Sequence, residues 1–251
     1  MVLDIWTACA GKFEPVALNA LLLRMVESQE QVATSRLVAT LERQSVLEDL
    51  LETAKPPMPP GTAGLSYLLA TPFRYPPLRH GSRFGTRDEP SLFYGSRGLP
   101  ALLAEVAYYR FVFWEGMSRS PPAPLRTQHT LFRARYRTQT GLRLQDPPFA
   151  AYRATLCDRA HYEATQRLGG EMRAAGIEAF EYESARDPGS GINVALFTPH
   201  AFASRRPQRR EAWLCETSAA LVRFSGREEG EVYAFARELF LVDGILPQPA
   251  A

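Results

Sequence analysis

The stretch Glu163-Ala-Thr-Gln-Arg-Leu-Gly-Gly-Glu-Met-Arg-Ala-Ala-Gly176, followed by Ile177-Glu-Ala-Phe-Glu-Tyr182, Glu183-Ser-Ala-Arg-Asp-Pro-Gly-Ser-Gly191 and Ile192-Asn-Val-Ala-Leu-Phe197, decides the fold class. Residues 163–175 read as a helix stopped by Gly176, because glycine enters the left-handed region at a helix end without a Cβ penalty. Residues 177–182 read as a short strand, Asp187-Pro-Gly-Ser-Gly191 as a turn, and residues 193–197 as a second strand. Two strands meeting at a turn directly after a helix do not make a βαβ unit. The pattern favours a mixed α+β domain over a doubly wound one.

Upstream of that stretch, residues 129–137 alternate as a strand, with Thr130, Phe132, Ala134 and Tyr136 on one face and Leu131, Arg133 and Arg135 on the other. Residues 99–117 predict a helix with Pro100 in its first turn and Ala104, Ala107, Tyr108 and Phe111 on one side. Residues 65–96, rich in Gly, Pro, Arg and aromatics, predict short strands joined by turns around a site. Residues 213–224 predict a strand, and residues 232–242 a strand or helix at an edge. In residues 17–53, Leu18, Leu21, Leu22, Met25, Val26, Leu37, Val38, Leu41, Val46, Leu50 and Leu51 recur at helical spacing, predicting two helices or one bent one. The run Lys55-Pro-Pro-Met-Pro-Pro-Gly ends that segment. The expected organisation is an N-terminal helical extension, residues 1–60, ahead of a catalytic domain, residues 61–251.

Composition narrows the function classes. The chain of 251 residues carries 29 basic and 27 acidic side chains, a net charge of +2, so a phosphate backbone is not the favoured partner. Only Lys12 and Lys55 are lysines, and the remaining 27 basic residues are arginines, a supply of forked anion donors. Cys9, Cys157 and Cys215 form no CxxC pair, which argues against a disulfide framework or zinc cluster and fits a reducing cytoplasm. The first residues, MVLDIWTACAGKFEP, have no basic leader region, and no apolar run approaches the ~18 residues of a membrane span.

The common catalytic signatures GxSxG, GxxxxGK[ST], HExxH and GxGxxG are absent, and His80, His129, His161 and His200 have no metal-ligand spacing. What stands out is Thr71-Pro-Phe-Arg-Tyr-Pro-Pro-Leu-Arg-His-Gly-Ser-Arg-Phe-Gly-Thr-Arg87, then Leu92-Phe-Tyr-Gly-Ser96, then Glu105 on a largely apolar helix. A carboxylate there is costly unless it is paired or used.

Phe73-Arg74-Tyr75, Arg83-Phe84-Gly85-Thr86-Arg87, Tyr94-Gly95-Ser96, the Glu105 helix and Glu183-Ser184-Ala185-Arg186 together resemble the RES-domain toxins, named for an arginine, a glutamate and a serine. The resemblance covers roughly residues 65–199. It implies an ADP-ribosyltransferase-like core that uses NAD as substrate, without a metal, in a bacterial toxin neutralised by a cognate antitoxin protein. Some family members degrade NAD by phosphorolysis or hydrolysis. Others transfer ADP-ribose to a protein, including a phosphoribosyl pyrophosphate synthetase. Carried onto this chain, the resemblance makes Arg74, Glu105 and Ser184 the catalytic set and Tyr75, Arg83, Arg87 and Tyr94 the NAD-binding set.

The residue chemistry is compatible. Arginines bind phosphate oxygens bidentately, tyrosines offer faces to the nicotinamide or its ribose, and a carboxylate stabilises an oxocarbenium-like state. Arg74 is expected near the pyrophosphate and Glu105 near the nicotinamide ribose, at opposite ends of one pocket. Ser184 is expected to orient substrate, with Tyr162 and Gln166 as further pocket candidates. Plainer roles stay open: Arg83 and Arg87 in ion pairs with Asp88 and Glu89, Tyr94 as a packed strand tyrosine, Glu105 facing Arg110 or solvent. So does a different function class, a non-catalytic NAD sensor or interaction domain. Transfer to a protein is preferred over NAD breakdown, because the extension adds surface for a target or antitoxin.

Overall fold

One 19-residue strand organises the molecule. In the structure, a computed structural model that describes residues 3–28, 40–226, 230 and 232–248, Leu125–Arg143 (β3) borders strands on both edges. Its companions are β1 (Val16–Glu27), β2 (Phe93–Ser96), β4 (Ala179–Glu183), β5 (Ile192–Leu196), β6 (Arg210–Thr217), β7 (Leu221–Gly226) and β8 (Val232–Ala236). The sheet order is β1-β2-β5-β4-β3-β6-β7-β8, and β1 also pairs antiparallel with β3 from Val16↔Gly141 to Glu27↔His129. That extra pairing closes β1, β2, β5, β4 and β3 into a ring, and β6, β7 and β8 continue from the first half of β3 as an antiparallel wing. Among the described residues, only the β3–β4 strand pairing is parallel.

The helices are α1 (Ile5–Cys9), α2 (Leu41–Thr53), α3 (Tyr67–Arg74), α4 (Leu99–Glu115), α5 (Arg153–Leu156) and α6 (Glu163–Ala174). The mixed α+β architecture agrees with the sequence expectation. So do α4 with Pro100 in its first turn, α6 ended by Gly176, β4, β5, and the alternation of Phe132, Ala134 and Tyr136 against exposed Arg135 and Arg137 in β3.

The N-terminal segment differs. Residues 17–27 belong to β1, not to a helix, while Leu41–Thr53 is helical; the expected middle, residues 29–39, lies outside the described residues. The reason is physical: β1 is one strand of the ring, where Leu18 and Leu22 pack with Phe93, Phe132, Tyr136 and Val194 while other apolar side chains meet neighbouring elements. A strand covered on both faces loses its polar alternation, and its apolar run then satisfies helical spacing by chance. Residues 67–74 likewise form a helix, α3, where short strands are expected. The segment 213–224 holds two strands, β6 and β7, and the segment 232–242 begins as β8 and turns into a short 3-10 helix at Arg237–Phe240.

Three packed clusters hold these parts together. One fills the ring and is covered by Leu69 and Phe73 of α3. A second packs Leu103, Ala107 and Phe111 of α4 on Trp213, Val222 and Phe224 of the wing. The third sets Leu168 and Met172 of α6 against Phe84, Phe180 and Leu142. Burying each such side chain contributes ~1.5–3 kcal/mol, so α4 is pinned between ring and wing. Its unburied flank faces a cleft.

Candidate active site

Glu105 sits midway along α4, half-buried, on the wall of a cleft of about 1260 Å³. One carboxylate oxygen, Oε1, accepts from the Ser184 hydroxyl at 2.6 Å and from Nδ2 of Asn193 at 2.8 Å. Ser184 follows β4, and its Oγ in turn accepts from the backbone N–H groups of Arg186 and Asp187, both at 3.1 Å. With its lone pairs engaged, the serine hydroxyl must present its proton to the glutamate. Asn193, on β5, is held by the Ser96 hydroxyl, which donates to Oδ1 at 2.6 Å and so directs the amide donor at Glu105. The outcome is a carboxylate fixed through one oxygen, with Oε2 free of protein partners among the described residues. Ser184 donates to Glu105 and accepts from two backbone N–H groups, so the hydroxyl helps hold the carboxylate in place.

The loop between α3 and β2 supplies the next wall. Gly81, at φ +71°, opens a tight turn in which Ser82 N–H donates to the Gly85 carbonyl at 2.8 Å. The Tyr94 hydroxyl lies 2.8 Å from Ser82 Oγ and accepts from Phe84 N–H at 3.3 Å, and burial pushes its pKa up to about 12. Arg83 is nearly buried: its Nη1 donates to the carbonyls of Leu156 and Asp158 at 3.3 and 2.6 Å, and the guanidinium lies 4.5 Å above the Tyr162 ring. Gln166 donates to the carbonyls of His80 and Ser82, so it fastens this loop instead of lining the cleft. Gly169 of α6 makes the fit possible, since a Cβ there would come within 1.9 Å of the Phe84 carbonyl oxygen.

Arg24 is the cation that sequence reasoning misses. It projects from β1 into the cleft wall, donates to the Tyr94 carbonyl, and lies 4.6 Å from the Phe93 ring centre. Burial lowers its pKa to about 10. Asn193 is the second omission. A single arginine within Leu21–Val26, and a single amide at the start of an apolar strand, are the signals that point to them: isolated polar groups in buried elements need partners or a use.

Glu105, Ser184, Arg83, Tyr94 and Tyr162 come together as expected, with Arg83, Tyr94 and Tyr162 lining the same cleft as Glu105. Arg74 does not join them. Its Nε donates to the Pro56 carbonyl at 2.6 Å and its Nη1 pairs with Glu52 of α2 at 2.6 Å, so the guanidinium is held outside the cleft lining. The expected opposition of Arg74 and Glu105 across one pocket is therefore corrected, and Arg24, not Arg74, lines the cleft. Arg87 is exposed and also outside the lining; Glu89 instead caps the turn by accepting from Thr86 N–H at 2.8 Å. Tyr75 lines the cleft, but at the α3 rim and not beside Glu105. Arg110 pairs with Glu27 at 3.0 Å and not with Glu105.

The cleft thus joins a fixed carboxylate, the buried Arg83 and half-buried Arg24 guanidiniums, and several tyrosines. Among the described residues, no group of three His, Cys, Asp or Glu side chains could hold a metal ion, and no helix is long and apolar enough to cross a membrane. Residues 59–218 match the RES domain, more than half of the chain, and the protein belongs to the RES domain family. This family is associated with NAD-using toxin activity. The matched segment contains Arg83, Tyr94, Glu105, Ser184 and Asn193, whereas Arg24 precedes it. No curated protein matches the chain.

Proposed function

We propose that this RES-domain protein cleaves NAD at the bond between nicotinamide and ribose and passes ADP-ribose to a protein acceptor, as the toxin of a toxin–antitoxin pair. The observation that carries the reading is Glu105, on the wall of an arginine- and tyrosine-lined cleft, held through Oε1 by Ser184 and Asn193 and with no protein partner at Oε2 among the described residues. In this reading Arg24 and Arg83 contact the pyrophosphate and Tyr94 offers a face toward the nicotinamide riboside. Oε2 accepts from a ribose hydroxyl. As the C–N bond breaks, its electron pair leaves with neutral nicotinamide, and positive charge builds on the ribose ring. A carboxylate already fixed in place stabilises that charge with no reorganisation. The acceptor nucleophile then adds at the same carbon.

Support for a protein acceptor is narrower than the sequence reasoning offers, because β1 is part of the sheet and adds no docking surface. What remains is α2, where Val46, Leu50 and Leu51 are exposed, apolar side chains open to contact with an acceptor or antitoxin protein. Incubation with adenine-labelled NAD and cell lysate tests this half. A labelled protein band supports transfer; free ADP-ribose or its 1-phosphate without a band makes the protein an NAD glycohydrolase or phosphorylase instead. If nicotinamide release is absent in the wild type while NAD still binds, the protein is a sensor and the catalytic reading fails.

A further inference from the structure

The cleft extends well beyond Glu105. Its far rim is made by α3 and the loop that follows, where Tyr67, Pro72, Tyr75, Pro76 and Leu78 line it. Tyr67 is 55% and Leu78 64% exposed, large apolar surfaces left uncovered beside a charged site. Contacts along β2 order the parts of the cleft. Ser91, just before β2, donates to the Tyr75 carbonyl at 2.8 Å; Arg24 holds the Tyr94 carbonyl; Ser96, at the strand's end, holds Asn193 and through it Glu105. From Ser91 to Ser96 is five residue steps, roughly 16 Å of extended chain. Aromatic shelf, cation and carboxylate therefore succeed one another in the order of base, pyrophosphate and nicotinamide ribose in a dinucleotide.

The polar groups around the shelf are already engaged. Thr71 Oγ1 donates to the Tyr67 carbonyl at 2.6 Å, Ser91 is bound to Tyr75, and Arg74 is paired with Glu52. Lys55, the ammonium that feels both tyrosines, is paired with Glu52 at 2.6 Å and does not line the cleft. What faces the cleft here is ring, proline and leucine surface plus tyrosine hydroxyls that can donate or accept. Aromatic faces stack on any base, and a site without a committed donor or acceptor discriminates weakly between bases that differ in their edge groups.

We infer that this shelf takes the purine of the dinucleotide by stacking without reading its edge, so the protein accepts guanine or hypoxanthine in place of adenine. The inference rests on the proposed NAD reading and adds the substrate class to it. The test compares NAD, nicotinamide guanine dinucleotide, nicotinamide hypoxanthine dinucleotide and nicotinamide mononucleotide, by calorimetric binding and by nicotinamide release. The three dinucleotides should agree within about threefold in dissociation constant and in kcat/KM. A Tyr67→Ala, Tyr75→Ala double variant should weaken all three by on the order of ten- to a hundredfold and leave the mononucleotide unchanged. Equal melting temperatures keep unfolding out of the comparison. Rejection of the guanine or hypoxanthine dinucleotide by more than tenfold while NAD binds and turns over overturns the shelf alone, as does a double variant that binds NAD normally. Failure of the wild type to bind any dinucleotide overturns both readings.

Discussion

Replacing Asn193 probes the part of the site that the structure adds. Asn193→Ala removes one of the two donors to Glu105 Oε1 and leaves the buried Ser96 hydroxyl without its acceptor. A hydrogen bond to a charged group contributes about 1.5–3 kcal/mol. At about 1.4 kcal/mol per factor of ten, turnover should fall roughly 10- to 150-fold if the carboxylate's placement matters fully in the transition state. KM should change little, because in the proposed binding mode Asn193 orients the carboxylate while Arg24 and Arg83 bind the phosphates. Asn193→Asp gives an independent readout. It sets a second carboxyl against Oε1, and like charges favour protonation of one of them, so the acid limb of the kcat/KM profile should move to higher pH. Steady-state nicotinamide release from pH 4 to 9 measures both effects. Unchanged kcat in Asn193→Ala together with an unshifted acid limb in Asn193→Asp would refute the claim that this amide holds the catalytic carboxylate.

Arg24→Ala and Arg83→Ala should each weaken NAD binding by at least about tenfold in calorimetry, as loss of a charge-assisted contact requires, whereas Arg74→Ala should bind NAD within about twofold of wild type. Gly169→Ala should lower stability by about 1–3 kcal/mol or more in denaturant unfolding, since its Cβ would meet the Phe84 carbonyl at 1.9 Å; a neutral effect would mean that α6 and the Arg83 loop are not so closely packed. His129 is buried and its pKa is lowered to about 4 by burial and by Arg110, so the folded protein keeps it neutral while the unfolded chain protonates it below about 6.5. Its contribution is present above pH 6.5 and is lost as pH falls toward 4, up to about 3 kcal/mol, and His129→Gln should flatten that part of the stability curve.

Some elements are readable because their burial is one-sided or their ends are marked. In β3, Phe132, Ala134 and Tyr136 alternate with Arg133, Arg135 and Arg137, and Gly176 marks the end of α6 with φ +77°. β1 is hidden by the closure of the ring, which buries Leu18 and Leu22 on one face while Leu23 and Met25 pack toward the α4 cluster. Closure is a long-range event between residues 16–27 and 129–141, and no local periodicity encodes it. The same error conceals Arg24, which looks like a solvated helix charge until its segment is a strand. Glu105 and Ser184 are legible through the order of their motifs. Arg74 misleads because Phe73-Arg74-Tyr75 ends a helix whose last side chain is captured by Glu52 and Pro56, contacts that depend on where α2 packs. Asn193 is invisible for a plainer reason: an amide in an apolar strand looks like any strand residue until Ser96 and Glu105 are seen on either side of it.

Nicotinamide released from NAD by wild type and by Glu105→Gln tests the proposed role of Glu105 in cleaving the nicotinamide ribosyl bond. The amide is nearly isosteric but lacks the negative charge that meets the developing cation. Turnover should fall by on the order of a hundredfold or more, while the NAD dissociation constant stays within a few-fold and the melting temperature is unchanged. Wild-type turnover in Glu105→Gln, or no nicotinamide from the wild type under any condition in which it binds NAD, would contradict it.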